Sequence, residues 1–309
     1  MASSTPRYDT VSGQPQVALA ARGRTPLRTF ARRLRMGMAG GAISLLFLLV
    51  GVFAPRLMPY DPNRIDVQST LQPPSLAHLL GTDNQGRDLL SRVIFGARMS
   101  SLISVTSVAF GAAVGVVLGI LAGYYRTLDG PIMRLNDVLL AFPGIIVALT
   151  IVSVLGTGLE NVIVAIAIVQ VPQYVRLAHG LTLSVKDRAY VEAAISVGAS
   201  DRIILTRYIL ANSLAPIIVQ TSLLIPGAIM TAATLSFLGL GVQPPTAEWG
   251  AMLQNSLQWA RLAPHVMIIP GLALMLVVFG FNVLGDGLRD AMDPRLRSAR
   301  GSVPGSPGG

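Results

Sequence analysis

The chain has 309 residues, of which 52% are hydrophobic and only 13% charged, with 24 Lys+Arg against 15 Asp+Glu and a formal net charge of +9. Soluble domains carry about 25% charged residues, so a soluble enzyme could not hide this much apolar surface, and a disordered chain would lack it. The absence of cysteine excludes disulfides, thiolate metal sites and cysteine nucleophiles, and a basic balance on an apolar chain (mean hydropathy +0.60) points to membrane topology before nucleic acid.

In chain order, residues 1–35 are rich in Arg, Ser, Pro and Gly and read as a disordered cytoplasmic tail. Residues 36–55 are uncharged for 20 residues, enough to cross ~30 Å of hydrocarbon as a helix. Arginines ahead of an apolar run also suggest a secretory leader, but this run is too long and its cleavage site poor, so a retained anchor is expected. Further uncharged windows fall at 99–125 (27 residues), 138–159 (22), 161–175 (15), 208–247 (40) and 262–285 (24, with His265 neutral). The window at 161–175 spans only if Arg176 snorkels and Leu177 and Ala178 extend the helix. Continuous runs without in-and-out alternation argue against a β-barrel, and runs this long exceed the core helices of soluble proteins. The expected fold is therefore all-α, with six transmembrane helices. It divides into the tail 1–35, a first helix plus extracytoplasmic segment at 36–98, a core at 99–286 and a cytoplasmic tail at 287–309.

Basic residues set the orientation. With the N-terminus inside, 18 fall on inside segments and 6 on outside segments, which places both termini in the cytoplasm. The windows hold no ionisable group at their centres, against what ion-coupled transporters and proton relays need. Asp137, Glu160, Arg176 and His265 sit at window edges and read as interfacial anchors. Catalytic and metal-binding motifs are missing too: His78, His179 and His265 are far apart, with no H-E-x-x-H and no G-x-S-x-G. The lone lysine, Lys186, lies between Val185 and Asp187, so the Gly-Lys-Ser/Thr of a P-loop cannot occur. Any ATPase must be another polypeptide.

The long inside loop at 180–212 carries the most information. Ala189, Ala193 and Ala194 with Glu192 favour a short helix, Gly198 permits a turn after it, and Ser200 or Asp201 can cap the next helix. Glu192-Ala193-Ala194, three residues and then Gly198 resemble the EAA loop of ABC-importer permeases. That resemblance implies a coupling helix, comprising Asp187, Tyr190, Val191, Glu192, Ala193, Ala194 and Gly198, that docks on an ATPase subunit. The family's Leu-Pro is here Leu210-Ala211, which straightens the approach to the fifth span.

The first outside segment narrows the resemblance. Pro59-Tyr60-Asp61-Pro62, then Gly81-Thr82-Asp83, Gly86-Arg87-Asp88 and the stretch to Leu102 are similar to the DppC/OppC-like permease subunit of dipeptide, oligopeptide and nickel importers. The likeness covers about 36–297. The residues themselves suggest tight turns and an amphipathic interfacial segment in which Arg87, Arg92 and Arg98 accompany Leu89, Leu90, Val93 and Ile94. Asp83, Arg87 and Asp88 fit a structural ion-pair set, with contact to a periplasmic protein as the alternative. Trp249 and Trp259 fit an aromatic belt at the outer interface, with a docking surface as the alternative.

The resemblance implies a permease that moves di- or oligopeptides across a bacterial inner membrane by alternating access. Its partners would be a B-type permease, two ATPase subunits holding ATP and Mg, and an extracytoplasmic binding protein, in a lipid bilayer and without nucleic acid. It implies no cofactor and no catalytic or metal-binding residue in this chain. Nickel or another small solute is the rival cargo; an ion-coupled transporter and a membrane scaffold without transport are the rival classes.

Overall fold

The computed structural model describes residues 27–292, with side chains from 36 to 291. Nine helices run in the order α1 (Leu27–Leu57), α2 (Leu89–Tyr124), α3 (Arg126–Leu140), α4 (Gly144–Leu155), α5 (Leu159–Lys186), α6 (Ala189–Ser196), α7 (Asp201–Phe237), α8 (Trp249–Ser256) and α9 (His265–Met292) among the described residues. Five of them, α1, α2, α5, α7 and α9, are long and apolar enough to cross a membrane.

The expected third span is broken. α3 and α4 meet at 92° across a break at 141–143. Pro143 has no N–H to donate and disfavours helical geometry at Phe142, so the run cannot continue straight. α4 has 12 residues, about 18 Å of helix and too short to span alone. The pair makes a sixth span only as a bent one.

The other windows shift at their ends. α5 does not stop at 175 but continues through Arg176 to Lys186, and Arg176 Nη2 donates to Asp137 Oδ1 of α3 at 2.8 Å. α7 starts at Asp201 instead of 208, and the last ten residues of the window 208–247 form a loop that opens at Gly239 (φ +79°). Ile204–Leu210 is a π-helical stretch within α7, and with Ala211 in the family's proline position the helix runs on unbroken. Residues 27–35, expected in the disordered tail, belong to α1: Leu27, Phe30 and Leu34 recur at helical spacing and arginine is a strong helix former. The rest of that tail, and 293–309 of the C-terminal one, lie outside the described residues, while 287–292 complete α9.

Small residues set the packing. Gly111, Gly115, Gly119 and Gly123 form a stripe along α2 at four-residue spacing, facing α5. A Cβ at these positions would lie 2.8 Å from the Gln170 side chain, 2.6 Å from Tyr174, 2.5 Å from the Val175 carbonyl and 2.7 Å from Thr182 respectively. Close approach of this kind replaces the hydrophobic drive that lipid does not supply. A second cluster holds α1, α8 and α9 together around Phe47, Trp249 and Phe281, with the Phe47 ring tilted against Trp249 at 5.7 Å and edge-on to Phe281 at 6.0 Å.

Trp249 therefore departs from the expected aromatic belt. It is 2% exposed, its Nε1–H donates to the Val93 carbonyl at 3.0 Å, and it sits where Gly96 leaves room. The turn into α8 drives it inward: Glu248 caps the helix by accepting from the Ala251 N–H at 3.0 Å, which aims the next residue at α2.

Candidate functional site: the segment between α5 and α7, and the outer turn before α2

α6 is an eight-residue helix with one buried and one open side. Val191 and Ala194 are buried beneath it, and Val191 joins a core cluster with Val185 of α5 and Ile204 and Ile209 of the π-helical stretch. Glu192 and Ala193 are exposed, together with Tyr190, Ile195 and Val197. The Tyr190 ring stacks on Tyr208 of α7 at 6.1 Å. The helix ends in a Schellman motif: Ala199 N–H donates to Ala194 O at 3.0 Å and Gly198 N–H to Ile195 O at 2.9 Å. Gly198 takes the left-handed conformation (φ +84°) that this closure requires. The sequence thus puts a short knob here with its small, apolar and acidic side chains facing out. Asp187 caps α5 and is exposed, so it lies at the base of the knob.

Both ends of this segment are tied to one place, the end of α2. Lys186 Nζ donates to the Gly123 carbonyl at 2.9 Å. At the far end, Tyr124 and Tyr125 donate their hydroxyls to Oδ1 and Oδ2 of Asp201, each at 2.8 Å. Of the two candidate caps, Ser200 is the N-cap, without a side-chain bond, and the Asp201 carboxylate is engaged by the tyrosines. The bond to Asp201 raises the Tyr125 pKa above its ordinary value, so the donor proton is held. Tyrosine and aspartate 76 residues apart have no spacing signature, which is why the sequence did not reveal the tie.

The outer turn is built around Asp83. Its Oδ1 accepts from the backbone N–H of Gln85 (2.8 Å) and of Arg87 (3.0 Å). Its Oδ2 faces Arg87 Nε at 2.7 Å and Arg92 Nε at 3.4 Å. Asp88 caps α2 by accepting from the Ser91 N–H at 2.8 Å, and its other oxygen meets His78 Nδ1 at 2.9 Å. Thr82 pairs with Asp88 across a β-bridge, and its hydroxyl joins Ser69 and Gln72. Gly81 and Gly86 have φ of +80° and +72°. Asp83, Arg87, Asp88 and Arg92 are all buried, so the expected interfacial row of arginines does not form; of Arg87, Arg92 and Arg98, only Arg98 is exposed. Arg92 Nη1 reaches the Pro62 carbonyl at 2.9 Å.

Among the described residues, the chain is a helical membrane protein whose helices α5 and α7 present a small open helix between them. Residues 115–298 match the family of binding-protein-dependent transport system inner membrane components, and 25–74 match the N-terminal transmembrane domain of oligopeptide transport permease C. The glutathione transport system permease protein GsiD of Pectobacterium atrosepticum is 48% identical over 280 residues, covering 89% of this chain and 93% of that protein. GsiD of Escherichia coli O6:K15:H31 is 48% identical over 279 residues, covering 89% and 92%. The structure of the inward-facing MetNI methionine ABC transporter superposes with a TM-score of 0.51 at 18% identity, over 68% of this chain and 96% of that one; this likeness concerns the fold alone. The chain belongs to the binding-protein-dependent inner membrane components, within the dipeptide/oligopeptide branch of the ABC-importer permeases. It is a multi-pass protein of the bacterial inner membrane and a transport permease subunit.

Proposed function

We propose that this chain is the C-type permease of an ATP-driven importer for short peptides. The observation that carries the mechanism is the position of α6: an exposed helix closed by Gly198, anchored at both ends to the tip of α2. In this reading α6 lies on the cytoplasmic side, as the 18-to-6 distribution of basic residues favours. Glu192, Ala193, Ile195 and Val197 dock on an ATPase subunit, which binds ATP and Mg. The chain pairs with a B-type permease and receives cargo from an extracytoplasmic binding protein. ATP binding moves α6, α6 moves α2 and α7, and the pathway between the two permeases opens outward. ATP can shift that equilibrium only by favouring one state over the other. Similarity to GsiD, a glutathione transport permease, supports a peptide cargo of about that size.

The test is reconstitution in vesicles with the B-type permease, the ATPase subunits and the binding protein. ATP-dependent uptake of a labelled tripeptide is expected. Uptake of nickel in its place would overturn the cargo, and uptake driven by an ion gradient without ATP would overturn the mechanism.

A further inference from the structure

The exposed faces of the membrane helices differ in their polar content. On α3, α4 and α5 the open surface mixes Asp137, Thr150, Gln173 and Arg176 with apolar Leu135, Val138, Ile146 and Val154. On α1 and α2 it is apolar, with Leu46, Val52, Val105, Phe110 and Val117 exposed. Among the described side chains of those two helices, the exposed charges are Arg56, at the very end of α1, and Arg98.

Arg98 heads a groove of about 440 Å³ between α1 and α2. At its floor Gly51 lets α1 pack directly on Ser101 of α2, since a Cβ there would lie 2.5 Å from the Ser101 hydroxyl. Leu48 and Val52 form one wall, and Leu102, Val105 and Thr106 the other. Unlike Arg87 and Arg92, the Arg98 guanidinium has no protein partner among the described residues. The chain beyond it is uncharged for 27 residues, 99–125, about 40 Å of helix, more than the ~30 Å hydrocarbon core. Arg98 therefore stands at the boundary between hydrocarbon and headgroups. With α6 cytoplasmic, that is the outer leaflet boundary.

We infer that this groove is a binding site for an anionic phospholipid. The phosphate pairs with Arg98, and an acyl chain lies along Val52, Leu102 and Val105. A guanidinium at the headgroup boundary lies level with lipid phosphates, and it binds phosphate oxygens through paired N–H donors. The apolar trough below it fits a lipid tail and gives a soluble anion nothing to bind.

The test uses the full chain carrying V52W, reconstituted in phosphatidylcholine vesicles with a small fraction of brominated lipid. The background from Trp249 and Trp259 is taken from the same titrations of the chain without V52W. Brominated phosphatidylglycerol should quench the added fluorophore with roughly fivefold higher apparent affinity than brominated phosphatidylcholine, the preference one basic residue gives near an anionic membrane surface. R98Q should abolish the preference and R98K should keep most of it. Equal quenching by the two lipids with Arg98 in place overturns the site. Loss of the preference on adding soluble glycerol phosphate would assign the guanidinium to a free anion instead. A V105C variant that cross-links to the B-type permease in the assembled complex would make the groove a protein interface. None of these readouts depends on transport, so failure here leaves the peptide-importer reading untouched.

Discussion

Tyr124 and Asp201 join the end of α2 to the start of α7 through a 2.8 Å hydrogen bond, and Tyr125 doubles the link on the second carboxylate oxygen. With Lys186 on the Gly123 carbonyl, α6 cannot move without pulling on α2. The combined Y124F and Y125F variant should insert and fold, because neither hydroxyl is deeply buried; losing the Tyr124 bond costs about 1 kcal/mol or less. Transport per ATP hydrolysed should fall while ATPase activity persists, measured side by side in vesicles. The pH dependence has a definite sign. Tyr125 has a pKa raised by its bond to Asp201, so its contribution is complete below the ordinary tyrosine value, about 10, and fades as pH rises through the folded value. Coupling that fails between pH 6 and 8 would contradict this tie.

Gly198 is needed for its backbone and not for lack of space. A Cβ there meets nothing within 4 Å, yet φ is +84°. Gly198→Ala should cost about 1–2 kcal/mol locally, and Gly198→Asn much less, since Asn tolerates the left-handed region. Transport should follow that order: glycine, asparagine, alanine, valine. Equal transport by G198V and the unsubstituted chain would remove the Schellman closure from the mechanism.

Composition and window length made the helical membrane class and the presence of α1, α2 and α9 legible, though not where α1 and α2 begin, because desolvation of charge is a large and local penalty. The knob at α6 was legible for a similar reason: alanines, an acid and a glycine act within a few residues of one another. What the sequence hid depends on contacts between distant segments. The 92° break before α4 hinged on Pro143 within an otherwise uncharged run. The inward turn of Trp249 depends on the space left by Gly96, in a different helix. Arg92 looked like an interfacial charge and is instead buried against Asp83 and the Pro62 carbonyl.

Asp83 serves two buried arginines, so its neutralisation should be severe. Asp83→Asn keeps an oxygen for the Gln85 and Arg87 N–H groups but leaves the Arg87 and Arg92 guanidiniums without their countercharge. Removing one partner of a buried pair costs roughly 3–5 kcal/mol. Gly86→Ala should be at least as damaging, because its Cβ would fall 1.7 Å from the Asp66 carbonyl oxygen at a φ of +72°. Both variants should lower the thermal midpoint of the purified chain, and R87Q in the D83N background should recover part of the loss. Unchanged midpoints would mean that this turn serves a binding partner and not the fold.

Glu248 is a buried carboxyl at the start of α8, and burial, the largest effect on it, raises its pKa above the ordinary carboxylate value, while backbone N–H donors pull it back. The folded state therefore holds the proton to higher pH than the unfolded chain does. Stability should be greatest where the carboxyl is protonated in both states and should decline as pH rises from about 4.3 through the raised folded value. Glu248→Gln keeps an acceptor for the Ala251 N–H and carries no charge, so it should flatten this part of the pH–stability curve and fold as well as the unsubstituted chain at pH 7. Glu248→Ala removes the cap and should cost about 1 kcal/mol or more. Trp249→Ala, which empties the space against Gly96 and Phe47, should cost roughly 3–5 kcal/mol. Thermal denaturation across pH 4–8 separates the two causes: the E248Q curve should lose its slope, whereas the W249A curve should keep the slope and drop as a whole.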